Sequence, residues 1–415
     1  MRKIEKAQRV LVVYTVNDRY AWEEMENLIE TAGGEVIDYI VYVRSPDSAY
    51  YLGKGKLEKL KKMVEYYEAE IVVFDTTLAP FQQRNLQDYL DTRVIDRVEL
   101  ILDIFAQHAT TREAKLQVEL AQLQYELPRL VGLGKILSRL GGGIGTRGPG
   151  ETKLEVDRRR ILKRIAQVKR ELKEVTIERK IQRKERLESG IPIVSLVGYT
   201  NAGKSTLLKI LTDAQVYIAD KLFATLSPKS RRSKLPSGRE VIFIDTVGFV
   251  ERLPHALVES FKSTLEEITY SSLIVIVCDS HARGRMEKHL KVVDEVLQEI
   301  GAASIPRILA LNKIDLLDVD ELQVLQKTYS DAVPISARYG IGISKLLDRI
   351  EKAINREEQV YELTLPLNNL ERFLRFRNHV TVISEKYNEK VMSVKFICSP
   401  EVYRRIAGYE MEVRP

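Results

Sequence analysis

Residues 198–206, Gly-Tyr-Thr-Asn-Ala-Gly-Lys-Ser-Thr, set two glycines, a lysine and a hydroxyl at the spacing of a phosphate-binding loop. Gly198 and Gly203 let the backbone approach phosphate oxygens. The N–H groups running from Tyr199, Thr200, Asn201 and Ala202 to Thr206 would cradle those oxygens at a helix N-terminus. Lys204 reaches the β- and γ-phosphates, and the Ser205 hydroxyl ligates Mg²⁺. One such match could arise by chance. Two companion motifs, Asp245-Thr246-Val247-Gly248 and Asn312-Lys313-Ile314-Asp315, follow it in order.

The second companion selects the base. It ends the apolar run 308–311, at the carboxyl edge of an expected central strand, where α/β sheets place ligands. The Asp315 carboxylate can accept hydrogen bonds from N1–H and the 2-amino group of guanine. Adenine offers neither and would leave the carboxylate unpaired. The Lys313 stem can lie over the base, and Asn312 can tie this loop to the phosphate loop. Ser336-Ala337-Arg338 follows the short strand 332–335, and Ser336-Ala337 would supply a backbone N–H to the guanine oxygen.

Asp245 ends the run 241–244, where its carboxylate can hold Mg²⁺ through water, and Gly248 lets a backbone N–H approach the γ-phosphate. In Phe223-Ala224-Thr225, Thr225 is the candidate that closes on Mg²⁺ when the γ-phosphate is present. Thr212 and Thr246 compete for that part. Thr212 comes too soon after the loop helix, and Thr246 sits inside the Asp245 motif. Phe249 stands where many GTPases carry a glutamine that orients water, so unaided hydrolysis should be slow. Asn201 has two readings: a ligand for K⁺, or an asparagine tolerated in a tight loop.

These residues need a parallel sheet to position them. Residues 191–197 form an expected strand before the loop and 207–211 a helix after it. Further upstream, strands at 10–14, 36–43, 71–74 and 94–95 alternate with helices at 21–31, 53–67 and 82–89. Glycines and lysines at 53–56 are either an anion site or an ordinary turn. Leu116, Leu120, Leu123, Leu127 and Leu130 form one heptad seam, and Ile161, Ile165, Val168, Leu172 and Val175 another. Two seams joined by a glycine-rich segment at 141–150 predict an antiparallel helical hairpin, with Pro128 kinking its first helix near the end. The tail predicts a strand at 361–365, a helix at 370–376, a hairpin at 380–397 turning at Asn388, and a helix at 401–406.

The expected fold class is therefore α/β. A P-loop GTPase domain with a mostly parallel sheet (191–356) follows a small α/β domain (1–106) and the hairpin (107–190), and precedes a small α+β domain (357–415).

With 415 residues, 30% of them charged, and only Cys278 and Cys398, the chain has the composition of a multidomain protein without a disulfide framework. No apolar run approaches the roughly 20 residues of a membrane span. The first residues lack the apolar core of a signal peptide, so the expected location is the cytoplasm. A monomer is expected. The net charge is only +6, but Arg158-Arg159-Arg160, Lys163-Arg164, Lys169-Arg170 and Arg179-Lys180 crowd one segment. That stripe is either a footprint for nucleic-acid phosphates or a solvated helical face, with Glu171, Glu174 and Glu178 interspersed.

The order of α/β domain, heptad hairpin, GGGIGTRGPGETKLEVDRR, GYTNAGKSTLL, FATLSP, DTVGF and NKID resembles the HflX-type GTPases over nearly the whole chain. The resemblance implies a ribosome-associated GTPase that binds the large ribosomal subunit and its RNA, is stimulated by it, and dissociates or rescues stalled ribosomes. It implies Mg²⁺ as cofactor and guanine nucleotides as substrate and product. Ser227-Pro228-Lys229-Ser230 departs from the family's Asp-Pro-Thr-Thr and puts the fine contacts there in doubt. Two other functions remain open: a ribosome-assembly GTPase, and an RNA-binding or remodelling protein whose N-terminal region does the work.

Overall fold

The computed structural model describes residues 7–140, 149–188, 191–212, 223, 229–249, 265–282, 284–355, 359–366, 370–377, 380–388, 391–398 and 400–407. They fall into two compact units. Residues up to 177, with Phe223, form the first, and the remaining described residues form the second.

In the first unit, β1 (Gln8–Tyr14), β2 (Gly34–Val41), β3 (Ile71–Phe74) and β4 (Arg93–Asp96) make a parallel sheet in the order β2-β1-β3-β4. The inner strands β1 and β3 are almost continuously buried, as strands covered on both faces must be. Helices α1 (Arg19–Ala32), α2 (Lys54–Tyr67) and α3 (Pro80–Leu90) connect the strands. The Asp18 carboxylate starts α1 by accepting from Tyr20 N–H at 3.1 Å. Leu57 and Leu60 of α2 and Leu86 and Leu90 of α3 pack on Leu11, Val13, Val72 and Phe74.

A helix absent from the sequence reading, α4 (Arg97–His108), follows β4 directly. Asp96 ends the strand and caps this helix, its carboxylate accepting from Glu99 N–H at 2.9 Å, while Ile101, Ile104 and Phe105 are buried.

Two long helices follow, α5 (Arg112–Leu140) and α6 (Pro149–Glu188). Leu116, Leu120, Leu123 and Leu127 meet Ile161, Ile165, Val168, Leu172 and Val175 in one apolar cluster, as the heptads require. Arg164 adds a two-pronged ion pair to Glu119, with Nη2 at 2.8 Å from the carboxylate. Pro128 does not lie near the end of its helix as expected, because α5 carries it inside and runs on to Leu140. Proline removes one ladder bond, and neighbouring side chains hold the helix through the gap: Leu127 in the seam, and Tyr125 and Arg129, whose polar ends reach Asp96 at 2.9 and 3.1 Å. Pro149 and Gly150, read as part of the glycine-rich tip, open α6, where proline is tolerated because a first-turn N–H has no partner in the helix. Residues 141–148, with Arg147, lie outside the described residues.

The second unit is built on β5 (Ile193–Val197), β6 (Lys229–Lys234), β7 (Glu240–Asp245), β8 (Leu273–Asp279), β9 (Arg307–Asn312) and β10 (Val333–Pro334). The order is β10-β9-β8-β5-β7-β6, and every pair is parallel except β6–β7. The sequence reading did not foresee β6. Its composition, Lys-Ser-Arg-Arg-Ser-Lys, has no apolar face, and as an edge strand its charges discourage pairing with another chain.

The unit's helices are α7 (Lys204–Thr212), α8 (Met286–Glu299), α9 (Val319–Thr328) and α10 (Ile343–Ile354). On one face Val194, Leu196, Val275 and Val277 meet Leu207 and Leu211 of α7 and Leu346 and Ile350 of α10. Towards the other, Val197, Ile274 and Ile276 meet Val293 and Leu297 of α8.

Beyond α10, β11 (Gln359–Pro366), β12 (Thr381–Tyr387) and β13 (Val391–Cys398) form an antiparallel sheet in the order β11-β13-β12. Phe373 of α11 (Leu370–Phe376) and Val402 and Ile406 of α12 (Pro400–Ala407) cover Met392, Val394 and Phe396. The fold class is the one the sequence predicts: α/β, with a mostly parallel P-loop sheet, an α/β region before it and an α+β region after it.

Candidate nucleotide site

The carboxyl ends of β5, β7, β8 and β9 lie along one edge of the parallel sheet and carry the loop after Val197, Asp245, Asp279 and Asn312. That is the edge at which doubly wound sheets bind ligands.

Between β5 and α7 the loop turns tightly. Gly203 has φ 93°, and a Cβ there would sit 2.2 Å from Asn312 Nδ2. Asn201 is also left-handed, at φ 58°, and is exposed. Lys204 is 6% exposed and donates to the carbonyls of Gly198 at 3.0 Å and Tyr199 at 2.8 Å. Burial pushes its ammonium down to about 8, against the opposing pull of Asp245. The Ser205 hydroxyl donates to Asp245 Oδ2 at 2.6 Å, and Asp245 is fully buried.

The Asp245 segment lies directly against the loop. A Cβ on Gly248 would meet Thr200 Cγ2 at 2.8 Å and Lys204 Nζ at 2.9 Å, so only glycine fits. Thr200 N–H donates to Phe249 O at 2.7 Å, and Phe249 N–H to Gly198 O at 3.1 Å. The Phe249 ring is buried among Val197, Leu265, Ile268 and Ile276. Thr200 Oγ1 is buried and, among the described residues, has no hydrogen-bond partner. Val247 is buried beside this segment, and Thr206 stands half-buried in the first turn of α7.

Both competitors of Thr225 are tied into the fold. Thr246 donates to Leu196 O at 2.8 Å and Thr212 to Leu208 O at 2.7 Å. Ala224 and Thr225 lie outside the described residues; Phe223 belongs to the first unit, where its ring stands edge-on to Phe105 at 4.6 Å.

At the β9 end, the Asn312 carboxamide donates to Ala202 O at 2.7 Å and accepts from Ala337 N–H at 2.9 Å. The Ser336 hydroxyl donates to Asp315 Oδ1 at 2.6 Å. The Ser336-Ala337 pair is expected to supply a backbone N–H to the guanine oxygen, and both of its N–H groups are engaged, Ala337 with Asn312 and Ser336 with Ile341 O at 3.0 Å. A guanine oxygen would have to share Ala337 N–H with Asn312. Arg338 lies over the Tyr339 ring at 5.6 Å.

Two groups at this edge went unread in the sequence. Asp279, at the end of β8, pairs with Lys313 Nζ at 2.7 Å and so steers the stem expected to cover the base. An acidic residue closing a central apolar strand was the available signal. His289 of α8 stacks on Tyr199 with ring centroids 3.8 Å apart and planes 13° from parallel. Burial, with Arg285 and Lys288, pushes its imidazole down to about 4, against the pull of Asp279. Nothing in the sequence marked it.

Among the described residues no cluster of three or more His, Cys, Asp or Glu could hold a metal by itself. A divalent ion at this edge would rest on the hard oxygens of Ser205 and Asp245 together with phosphate oxygens, a donor set that suits Mg²⁺.

Comparison with known proteins matches three family descriptions along the chain: a GTP-binding GTPase N-terminal region over residues 19–106, a GTP-binding GTPase middle region over 108–186, and a 50S ribosome-binding GTPase over 193–313. The GTPase HflX of Caldanaerobacter subterraneus subsp. tengcongensis is 46% identical over 409 residues, covering 98% of this chain and 94% of its own. The chain belongs to the HflX GTPase family.

The Escherichia coli K12 HflX is 43% identical over 366 residues, covering 87% of this chain and 86% of its own. Among solved structures, a GTP-binding protein of the archaeon Sulfolobus solfataricus in complex with GDP is 28% identical with a TM-score of 0.47, covering 84% of this chain and 99% of that one. As an HflX-family member the chain binds GTP and hydrolyses it to GDP and phosphate. No described helix is long and apolar enough to cross a membrane.

Proposed function

We propose that this HflX-family chain is a GTPase of the large ribosomal subunit that dissociates or rescues stalled ribosomes, its hydrolysis stimulated by the subunit. The observation that carries the reading is Phe249. Its ring is buried in an apolar cluster directly after Gly248, so this side chain cannot orient a water on the γ-phosphate. A GTPase built this way turns over slowly until a partner supplies the missing order.

The partner's chemistry is suggested by α6. Arg158, Arg159, Arg160, Lys163, Lys169 and Arg170 are all exposed on it, a density of cations suited to RNA phosphates. The family description matched over 193–313 also names 50S binding.

Lys204 would neutralise the β- and γ-phosphates, with Gly198 to Thr206 supplying the cradle and Gly248 N–H the γ-phosphate contact. Asn312, Lys313, Asp315 and Ser336–Arg338 would form the guanine site. Ser205 and Asp245 would hold Mg²⁺, Asp245 through water, and Thr225 would close beside them; bound there, the ion screens phosphate charge. Asn201 would hold K⁺. The protein acts in the cytoplasm as a monomer.

The test is subunit dissociation. Mixed with 70S ribosomes and GTP, the chain should raise the free 50S fraction on a sucrose gradient. Arg147, set among the glycines of the tip segment, would reach RNA phosphates, so a variant with 141–148 cut to a tight turn should keep its GTP affinity and lose most of that effect. Equal splitting by both forms would contradict a role for the tip, and no splitting by either would contradict the proposal.

A further inference from the structure

We propose that His289 is a positioning residue for GTP hydrolysis: its stack on Tyr199 braces the one stretch of the phosphate loop on which both Lys204 and the Gly248–Phe249 segment are hung. The inference rests on the assignment of residues 198–206 as the phosphate loop.

The Tyr199 carbonyl accepts from Lys204 Nζ at 2.8 Å, and that of Gly198 at 3.0 Å. The same two peptides meet the segment after Asp245, through Phe249 N–H to Gly198 O at 3.1 Å and Thr200 N–H to Phe249 O at 2.7 Å. Residues 198–200 are thus a shared strut. One side carries the cation that faces the phosphates, and the other carries the glycine whose N–H approaches the γ-phosphate.

Hydrogen bonds hold the strut on one side, with Tyr199 bridged to Phe249, and just beyond it Asn201 and Gly203 turn the loop at φ 58° and 93°. A side chain holds its other side. The Tyr199 ring is 7% exposed and lies flat on the His289 imidazole, centroids 3.8 Å apart and 13° from parallel. His289 stands one turn into α8, whose Met286, Val293 and Leu297 are buried in the sheet's packing. The brace therefore runs from a rigid helix, through two stacked rings, to the loop backbone. A stack constrains both the tilt and the distance of a ring, which apolar contact of equal volume does not. The depressed basicity of the imidazole leaves the ring uncharged at neutral pH, as burial against a second ring requires.

GDP rests mainly on the part of the cradle beyond the strut, residues 201–206, and on the guanine site, whereas the Lys204–Gly248 geometry matters most for the γ-phosphate in the transition state. Loosening the strut should thus cost turnover more than nucleotide affinity. The experiment compares steady-state GTP turnover and GDP affinity in His289→Ala, His289→Phe and His289→Leu, with Lys204→Ala as reference. In His289→Ala, kcat should fall about tenfold while GDP affinity changes by less than about threefold. His289→Phe restores the stack and should bring kcat to within about twofold of the native value, whereas His289→Leu, which fills the volume without a flat ring, should stay near the alanine variant. Native kcat in His289→Ala overturns the proposal, as does rescue by leucine equal to rescue by phenylalanine. Native turnover in Lys204→Ala would instead remove the phosphate-loop assignment itself.

Discussion

The Asn312 carboxamide joins three loops of the candidate nucleotide site: its Nδ2 donates to Ala202 O at 2.7 Å, and its Oδ1 accepts from Ala337 N–H at 2.9 Å. Because Asn312 is 2% exposed, neither partner has water to turn to when the amide is removed. Asn312→Ala should therefore cost roughly 1–3 kcal/mol for the buried groups left unpaired. GTP and GDP should weaken in parallel, by about 10- to 100-fold, since the γ-phosphate touches none of these bonds. Titration calorimetry with both nucleotides checks this, and loss confined to GTP would contradict it.

Thr200 offers an isosteric test. Its buried hydroxyl has no partner among the described residues, the state expected of a group whose partner is a ligand oxygen. In Thr200→Val the nucleotide-free protein should melt at the same temperature or higher, because an unpaired buried hydroxyl costs stability. Its GTP affinity should fall about tenfold, the worth of one hydrogen bond of about 1.4 kcal/mol. Thr200→Ser should keep it. A lower melting temperature with unchanged GTP affinity would show that the hydroxyl is structural.

The His289 imidazole gives a pH dependence of definite sign. Burial depresses its basicity from the ordinary 6.5 to about 4, with Arg285 and Lys288 also pushing down and Asp279 pulling up. Between those values the unfolded chain binds the proton that the folded chain does not, so stability falls as pH drops from about 6.5 towards about 4. His289→Phe removes this term. Melting curves should show the variant gaining on the native chain as pH falls through that window. A constant difference would contradict the depressed value.

Asn201, left-handed and exposed, suits both of its readings, because asparagine tolerates φ 58° and an exposed amide is also free to meet an ion. Turnover in K⁺ against Na⁺ separates them. A K⁺ ligand predicts faster hydrolysis in K⁺ and loss of the difference in Asn201→Ala; indifference of the native chain leaves Asn201 as a turn residue.

Short motifs made the internal contacts of the candidate nucleotide loops legible in the sequence, because backbone conformation and hydrogen-bonding type are local demands. Gly203, Lys204, Asp245 and Asn312 each answer one. Heptad spacing likewise marked the residues of the α5–α6 seam. What stayed hidden was non-local. α4 shows helical spacing, with Glu99, Asp103 and Gln107 four residues apart, but it follows β4 with no turn residue to mark the boundary, its cap being Asp96, the last residue of the strand. The edge strand β6 is wholly polar and takes its conformation from pairing with β7. Asp279 and His289 acquire their places only once β8 and α8 are laid beside the loop.

The most direct measurement of the central claim is GTP turnover with and without purified 50S subunits. With the Phe249 ring buried in the core, the chain alone should hydrolyse slowly, and saturating 50S should raise kcat by about 10- to 1,000-fold, the range opened when a partner completes a preorganised site. Turnover that is already fast alone, or that 50S subunits leave unchanged, would contradict the account.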